Sequence, residues 1–498
     1  MNGPAARAAA ARARDTQNAQ PDDGYRWKAF GAIAISFVTM VMSMSMVFVA
    51  LSAIAEDFGV TLRAITWVVI AQALTISALM MPMGRLADLV GRKKIHLTGL
   101  VLFGGGAIFA GFSPSFGALI LARVIMAVGN AMGQSVGMAM VLSVFPASER
   151  GKAIGSQTTA VAVGGASGPI VAGLVLQVMS WEALFLMLTV PIAIAFVAGY
   201  FILDEDRVSQ RGTGDKPAFD WVGAVLSAAA ITTLVITINN PLGVSWTSPL
   251  MAGGGVGFVV LLSGFIAWEL RNESPMLDLR MFKDLVFSMA IATRFLGFLG
   301  TTASRFLLPI FLISLRGIGE GAAGGVLFLS ALGMGMAAQA SGRLSDRFGE
   351  RPFSVLGFLV LIATAVAFAF FTGDTPMWTV MVVVLMNGLA MGLWNVPNSS
   401  MIMGSVPSSR FGVVAALTNL TRNLGNVTGQ AVASAVVVGV MVARGFDISL
   451  GDIAVTPGAG DAFIEGWRAA YLLVTAFSIA GLILAFLTRP RARARESW

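Results

Sequence analysis

Fourteen separate apolar runs, each long enough to cross the hydrocarbon of a bilayer, limit what this chain can fold into more than any other feature. A crossing helix needs roughly 17 to 25 mostly apolar residues. Runs of about that size lie near 28–51, 62–83, 95–112, 115–141, 152–179, 183–203, 221–240, 249–269, 285–314, 322–341, 353–372, 376–400, 412–442 and 468–488. Lipid offers backbone groups no water, so each run must satisfy its own amides and carbonyls as an α-helix. The expected class is an all-α membrane protein. With 56% hydrophobic and 12% charged residues, the chain has more apolar surface than a soluble core could bury.

The same residues exclude most chemistry. Cysteine is absent and His96 is the one histidine, so disulfides, thiolate nucleophiles, Cys/His zinc sites and a Ser-His-Asp triad lack their raw material. Gly133, Ser135 and Gly137 spell G-x-S-x-G, but inside a span and not at a strand-to-helix elbow. No G-x-x-x-x-G-K-[ST] occurs, so the chain brings no ATP site of that kind. No enzyme activity, cofactor or metal is expected. His96, at the start of the third span, reads as an interfacial residue.

The net charge of +7 would suggest nucleic acid in a soluble protein, whereas basic residues beside membrane spans set orientation. An even number of spans puts both chain ends on one side. That side holds 25 of the 33 Lys and Arg and is expected to be cytoplasmic, with no nucleic-acid partner. The opposite loops carry mainly Glu56, Asp57, Asp374, Asp447, Asp452, Asp461 and Glu465. Residues 1–27 read as a disordered cytoplasmic tail, and 489–498 as a basic one.

An internal repeat organises the spans. GRLADLVGRKK begins at Gly84 in what reads as the loop after the second span, and GRLSDRFGER begins at Gly342 after the tenth, 258 residues on. Pro146, Gly151 and Gly168 are echoed by Pro407, Gly412 and Gly429 with the same internal gaps of 5 and 17 residues. The chain thus divides into a six-helix half (28–203), linkers with two inserted helices (204–284) and a second six-helix half (285–488).

These motifs resemble the major facilitator superfamily, and the inserted pair resembles its fourteen-helix drug:proton antiporter branch. Gly84, Leu86, Asp88, Gly91, Arg92 and Lys93 match the family's motif A, with the second copy at Gly342 and Asp346. Spans five and thirteen start on the basic side, where a carboxylate near the positive helix end is favourable by about 0.3 to 1 kcal/mol. Asp88 is expected to meet the start of span thirteen and Asp346 that of span five, latching the halves. Gly155, Gly164, Gly168, Pro169 and Gly173 follow the branch's antiporter motif, with Ala172 in place of one glycine; small residues at this spacing let helices approach closely, and the proline permits a bend. Arg123 is equivalent to the span-four arginine of the family. Trp67, the Trp181–Phe185 run with Pro191, Asp220-Trp221 and the run from Arg422 to Gly425 also resemble fourteen-helix members.

Ionisable residues inside spans mark candidate functional sites. No Asp or Glu falls in the middle of an expected span, whereas Arg123, Arg294, Arg305 and Arg422 do. Branch members usually carry an Asp where this chain has Ser43. Arginine does not release its proton near neutral pH but can hold an anion. Arg294 and Arg305 are eleven residues apart, so both lie on one face of span nine, roughly 16 Å apart, as two rungs of an anion path. Ser43, Gln72, Asn130, Gln134, Gln157, Asn387, Asn395, Asn398, Asn419 and Asn423 are the polar positions expected to line the route, with Trp394 and methionines suiting a tolerant apolar pocket.

The resemblance implies a secondary transporter that exports amphiphilic small molecules by alternating access, with protons as its coupling ion, in the inner membrane of a prokaryote. Its partners are then lipid, substrate and protons, and it is expected to act as a monomer. The arginines favour anionic, zwitterionic or neutral substrates over cations. Uptake or exchange of an organic anion is the alternative, and a membrane sensor or scaffold without flux is a second.

Overall fold

The computed structural model describes residues 23–60, 62–65, 67–209, 219–240, 244, 248–407, 410–446, 453 and 456–488. Among them are fourteen helices long and apolar enough to cross a membrane, and no strand. The first half contributes α1 (Asp23–Asp57), α2 (Trp67–Val90), α3 (Arg92–Gly111), α4 (Phe116–Val144), α5 (Arg150–Val175) and α6 (Glu182–Ile202). The inserted pair is α7 (Trp221–Asn239) and α8 (Pro249–Arg271). The second half contributes α9 (Leu285–Ile310), α10 (Glu320–Phe348), α11 (Glu350–Ala369), α12 (Met377–Gly404), α13 (Phe411–Ala443) and α14 (Ala459–Leu487). The expected tails at 1–22 and 489–498, and the loop acids Asp447 and Asp452, lie outside the described residues. Residues 23–27, expected to be tail, instead form the opening turns of α1.

Helix ends follow local chemistry. Ser115 starts α4, its hydroxyl accepting the Ala118 amide at 3.3 Å, and Ser248 starts α8 in the same way with Pro249 at the first helical position. Asp284 starts α9 by accepting the amides of Val286 (2.9 Å) and Phe287 (3.4 Å). The GRL motifs are not loops, as their charge suggested. Residues 84–90 are the last two turns of α2, and 342–348 those of α10. These turns carry charge because they sit at a helix end. The reversal is confined to Gly91 (φ 121°) and Gly349 (φ 88°), in the region that disfavours a side chain. The repeated motif thus requires glycine at its turn.

The end of the bundle with these turns is called here the motif face. Buried apolar residues of both halves meet there in a single cluster, with Phe37, Met80 and Val141 from the first and Val396, Ile402 and Val414 from the second. Toward the opposite face the core divides. One cluster, around Phe103, Trp181 and Phe185, belongs to the first half alone, and another, around Phe311, Phe368, Trp467 and Tyr471, to the second alone. The halves therefore share a core at the motif face and keep separate cores at the other. Just beyond Pro309, α9 continues as one π-helical turn at Phe311–Leu315.

Candidate functional site

Among the described residues, hydrogen bonds between the halves link residues in the motif-face half of their helices. Asp346 at the end of α10 accepts two amides from the first turn of α5, Gly151 at 2.8 Å and Lys152 at 2.9 Å. Asp88 at the end of α2 accepts the Val413 amide of α13 at 3.2 Å. These amides are among the four at each helix start with no partner in their own helix, so the carboxylates supply acceptors where the dipole favours negative charge. Arg92 also holds Asp88, donating from Nε at 3.1 Å and Nη2 at 3.0 Å, and reaches Ser143 Oγ at 2.8 Å. Buried to 1% exposure, Arg92 fixes the carboxylate from within its own half.

Close backbone approach makes these contacts possible. A methyl on Gly412 would overlap the Asp88 carboxylate, and one on Gly151 would overlap the Gly342 carbonyl. On Gly84 it would fall 2.6 Å from the Ala416 methyl. Gly164 and Gly168 serve a different contact, packing α5 onto α1 within the first half. A methyl on Gly164 would lie 2.6 Å from the Val38 carbonyl oxygen, and one on Gly168 2.8 Å from that of Met42. Pro169 lies inside α5 beside them. Farther along, Ser156 accepts from Gln339 (3.4 Å) and Thr159 donates to the Gly335 carbonyl (3.2 Å).

The four intramembrane arginines divide in two. Arg123 is enclosed in the first half, donating to Gln72 and to the Val68 carbonyl (3.3 Å) with its guanidinium 5.7 Å from the Phe185 ring centre. Arg294 is only 4% exposed and ties α9 to two neighbours, donating to the Thr418 carbonyl of α13 and to Asn395 Oδ1 and Ser399 Oγ of α12, each at 2.8 Å. Both were expected to line a cavity; in this structure each bonds neighbouring helices of its own half. Arg305 is the reverse case. It is exposed, although its Nη2 points among the helices of its half toward the sulfurs of Met391 (3.4 Å) and Met334 (4.0 Å). Half-buried Arg422 donates to Gln134 Oε1 of the opposite half at 2.7 Å. Among the described residues, no carboxylate forms an ion pair with Arg294, Arg305 or Arg422.

The smaller polar residues fall into the same two groups. Gln134 donates to Asn130 Oδ1 (2.7 Å), its carbonyl accepts Asn419 Nδ2 (3.0 Å), and Asn130 Nδ2 remains without a partner. Buried Gln157 likewise keeps an unpartnered Oε1. Asn130, Gln134, Asn419 and Arg422 thus form one polar strip across the gap between α4 and α13. Ser43 spends its hydroxyl on the Met40 carbonyl of its own helix (2.8 Å). Asn398 joins α12 to the Ala290 carbonyl of α9 (2.9 Å), and Asn387 bonds Thr364 of α11 (3.2 Å). Trp394, expected in a pocket, is fully buried against Phe298 and Phe358, and His96, expected at the interface, is fully buried beside Ser36. Sequence reasoning passed over Thr302 and Asn426, which bond at 2.6 Å across α9 and α13. Asn426 stands one helical turn past Arg422, the spacing that could have revealed it.

Residues 33–430 match the family model described as Major Facilitator Superfamily. The chain belongs to that superfamily. Among curated relatives, the riboflavin transporter RibZ of Clostridioides difficile is 29% identical over 407 residues, 82% of this chain and 87% of that protein. The multidrug efflux pump LfrA of Mycolicibacterium smegmatis is 28% identical over 409 residues, 81% of this chain and 79% of LfrA. Among solved structures, the human organic anion transporter MFSD10 superposes with a TM-score of 0.67 at 13% identity, covering 92% of this chain and 99% of that one.

As a major facilitator protein the chain is a transporter of small molecules and not an enzyme. Its two halves are joined at the motif face and separately packed at the other. Of the four intramembrane arginines, Arg305 has, among the described residues, only the sulfurs of Met391 and Met334 beside its head, and Arg422 bonds Gln134 of the opposite half.

Proposed function

We propose that this major facilitator protein is a secondary active transporter exporting amphiphilic small molecules in exchange for protons, with anionic, zwitterionic or neutral substrates favoured over cations. The observation that supports the substrate class is Arg305, an exposed residue on an intramembrane helix whose guanidinium has two thioethers and, among the described residues, no carboxylate at its head. A cation entering beside it would meet fixed positive charge at low dielectric, while a carboxylate or phosphate would gain charge-assisted hydrogen bonds. Met334 and Met391 offer adaptable apolar surface for the rest of such a molecule.

The motif face is taken as cytoplasmic from the bias of Lys and Arg, with both termini on that side of an inner membrane. The Asp88 and Asp346 contacts then close the cytoplasmic side while the opposite side parts, and rocking the halves about the Arg422–Gln134 level would exchange access. Export draws support from the glycines at Gly164 and Gly168 and from relatives named as efflux pumps. A second reading is uptake or exchange of an organic anion or related nutrient, which the relative named as a riboflavin transporter favours.

Purified protein in liposomes separates the two. With an inward-directed proton gradient, outward flux of an anionic amphiphile should rise several-fold and collapse with a protonophore. Flux that ignores the gradient would remove proton exchange. Export also predicts resistance to toxic amphiphiles in a host stripped of pumps, and uptake predicts sensitisation.

A further inference from the structure

The inserted helices hold two buried carboxyl groups that neither the latches nor the arginine site uses. Asp220 starts α7, its Oδ1 accepting the Gly223 amide (2.8 Å) and Trp268 Nε1 (2.9 Å). Glu269, near the end of α8, accepts the Leu277 amide at Oε2 (3.2 Å). The residues are 6% and 3% exposed. The remaining oxygens, Asp220 Oδ2 and Glu269 Oε1, are buried and have no partner. Both border one spot above Gly223, where an added methyl would fall 2.5 Å from the first and 2.6 Å from the second.

Two ionised carboxylates facing each other in such a space repel without water or a cation between them. Two acceptors cannot bond to each other, but one proton turns the pair into a donor and an acceptor and satisfies both orphan oxygens. We propose that Asp220 and Glu269 share a single proton, making the inserted helix pair a proton-binding site. The proton is taken from water and forms an O–H bond on one orphan oxygen, which donates to the other. On release it returns to water, leaving two like charges that part.

The surroundings give the parted charge a place to go. Glu269 borders a cleft of about 540 Å³ at the motif face shared with Arg85 and Asp88 of α2, with Glu273, Asp278 and Arg280 after α8, and with Arg410 before α13. Asp88 is held by Arg92 and Asp278 by Arg410 (2.9 Å), while Arg85 has a buried Nε with no partner. Arg85 therefore receives the Glu269 charge when the proton leaves, and α7 carries no charged residue to compete. Glu269 holds Leu277, and the adjacent Asp278 holds Arg410 three residues before the Val413 amide that Asp88 accepts. Loss of the proton thus pulls on the segment that positions the start of α13. The site lies apart from the arginines and stands whatever the substrate's charge.

Infrared difference spectroscopy of the full-length protein in nanodiscs tests the site. At neutral pH the wild type should show the carbonyl band of a protonated carboxyl, shifted in heavy water, and Glu269→Gln or Asp220→Asn should each remove one carboxyl's intensity. Amide side chains can bond the remaining carboxylate, so both variants should keep the wild-type melting temperature, and either one alone suffices for the test. A wild type without the band, or both folded variants retaining it in full, overturns the shared proton. Spin labels on α2 and α13 should report a pH-dependent distance change that Glu269→Gln abolishes. An unchanged response in that variant overturns the link to α13.

Discussion

Asp88 on α2 accepts the Val413 amide of α13 at 3.2 Å, 325 residues further along the chain. The bond joins two helices of opposite halves at the one face where their cores merge. Its counterpart from Asp346 to α5 shows that each copy of the repeated motif reaches the other half.

Asp88→Asn keeps an acceptor but loses the charge that the start of α13 favours. The expected result is turnover slowed about 5- to 10-fold, matching roughly 1 kcal/mol lost from the closed motif face, with substrate affinity nearly unchanged. Gly412→Ala should act the same way by displacing the carboxylate. Transport kinetics beside equilibrium binding check this, and a large loss of affinity at an unchanged cycling rate would contradict it.

Arg305→Ala and Arg294→Ala should fail differently. Removing Arg305 leaves packing intact and should weaken binding of an anionic amphiphile about 10- to 100-fold, the value of a charge-assisted hydrogen bond. Removing Arg294 takes the donor from Asn395 Oδ1 and cuts its links to Ser399 and to the Thr418 carbonyl, and should cost on the order of 3 kcal/mol of stability. Thermal unfolding in detergent and ligand titration separate the two, and normal anion binding by folded Arg305→Ala protein would end the substrate argument.

Gly164→Val should unfold or strongly destabilise the protein, because its Cβ would press on the Val38 carbonyl. Gly173→Ala, in the same motif, meets nothing within 4 Å and should be silent. Expression level and melting temperature of the pair provide the check.

Ser43→Ala should change transport by less than about twofold, since the hydroxyl bonds only within its own helix and a neutral hydrogen bond of that kind contributes little. Flux measured across pH gradients would reveal any hidden part in proton handling.

The span count was legible because hydrocarbon thickness is written directly into the length of apolar runs, and the family because its motif occurs twice. The motif's helical state was not legible, since Arg85 and Asp88 end an apolar window without ending the helix. Arg294 read as intramembrane, but its partners Asn395, Ser399 and Thr418 are more than a hundred residues away, so nothing local told a clamp from an open charge. Arg305, on the same face by spacing, differs only in what α10 and α12 place beside it. The Asp220–Glu269 pair escaped because each lies at a span end, where an acid looks like ordinary interfacial charge. Only packing α7 against α8 shows that the two face each other.

Arg92 belongs to the same half as Asp88 and stays with it whichever way the halves tilt. Were α13 to depart in the proposed cycle, the carboxylate would exchange one amide for water while keeping its ion pair with Arg92. In the proposed cycle the catch would therefore disengage and re-engage without a large charge being solvated and stripped each time.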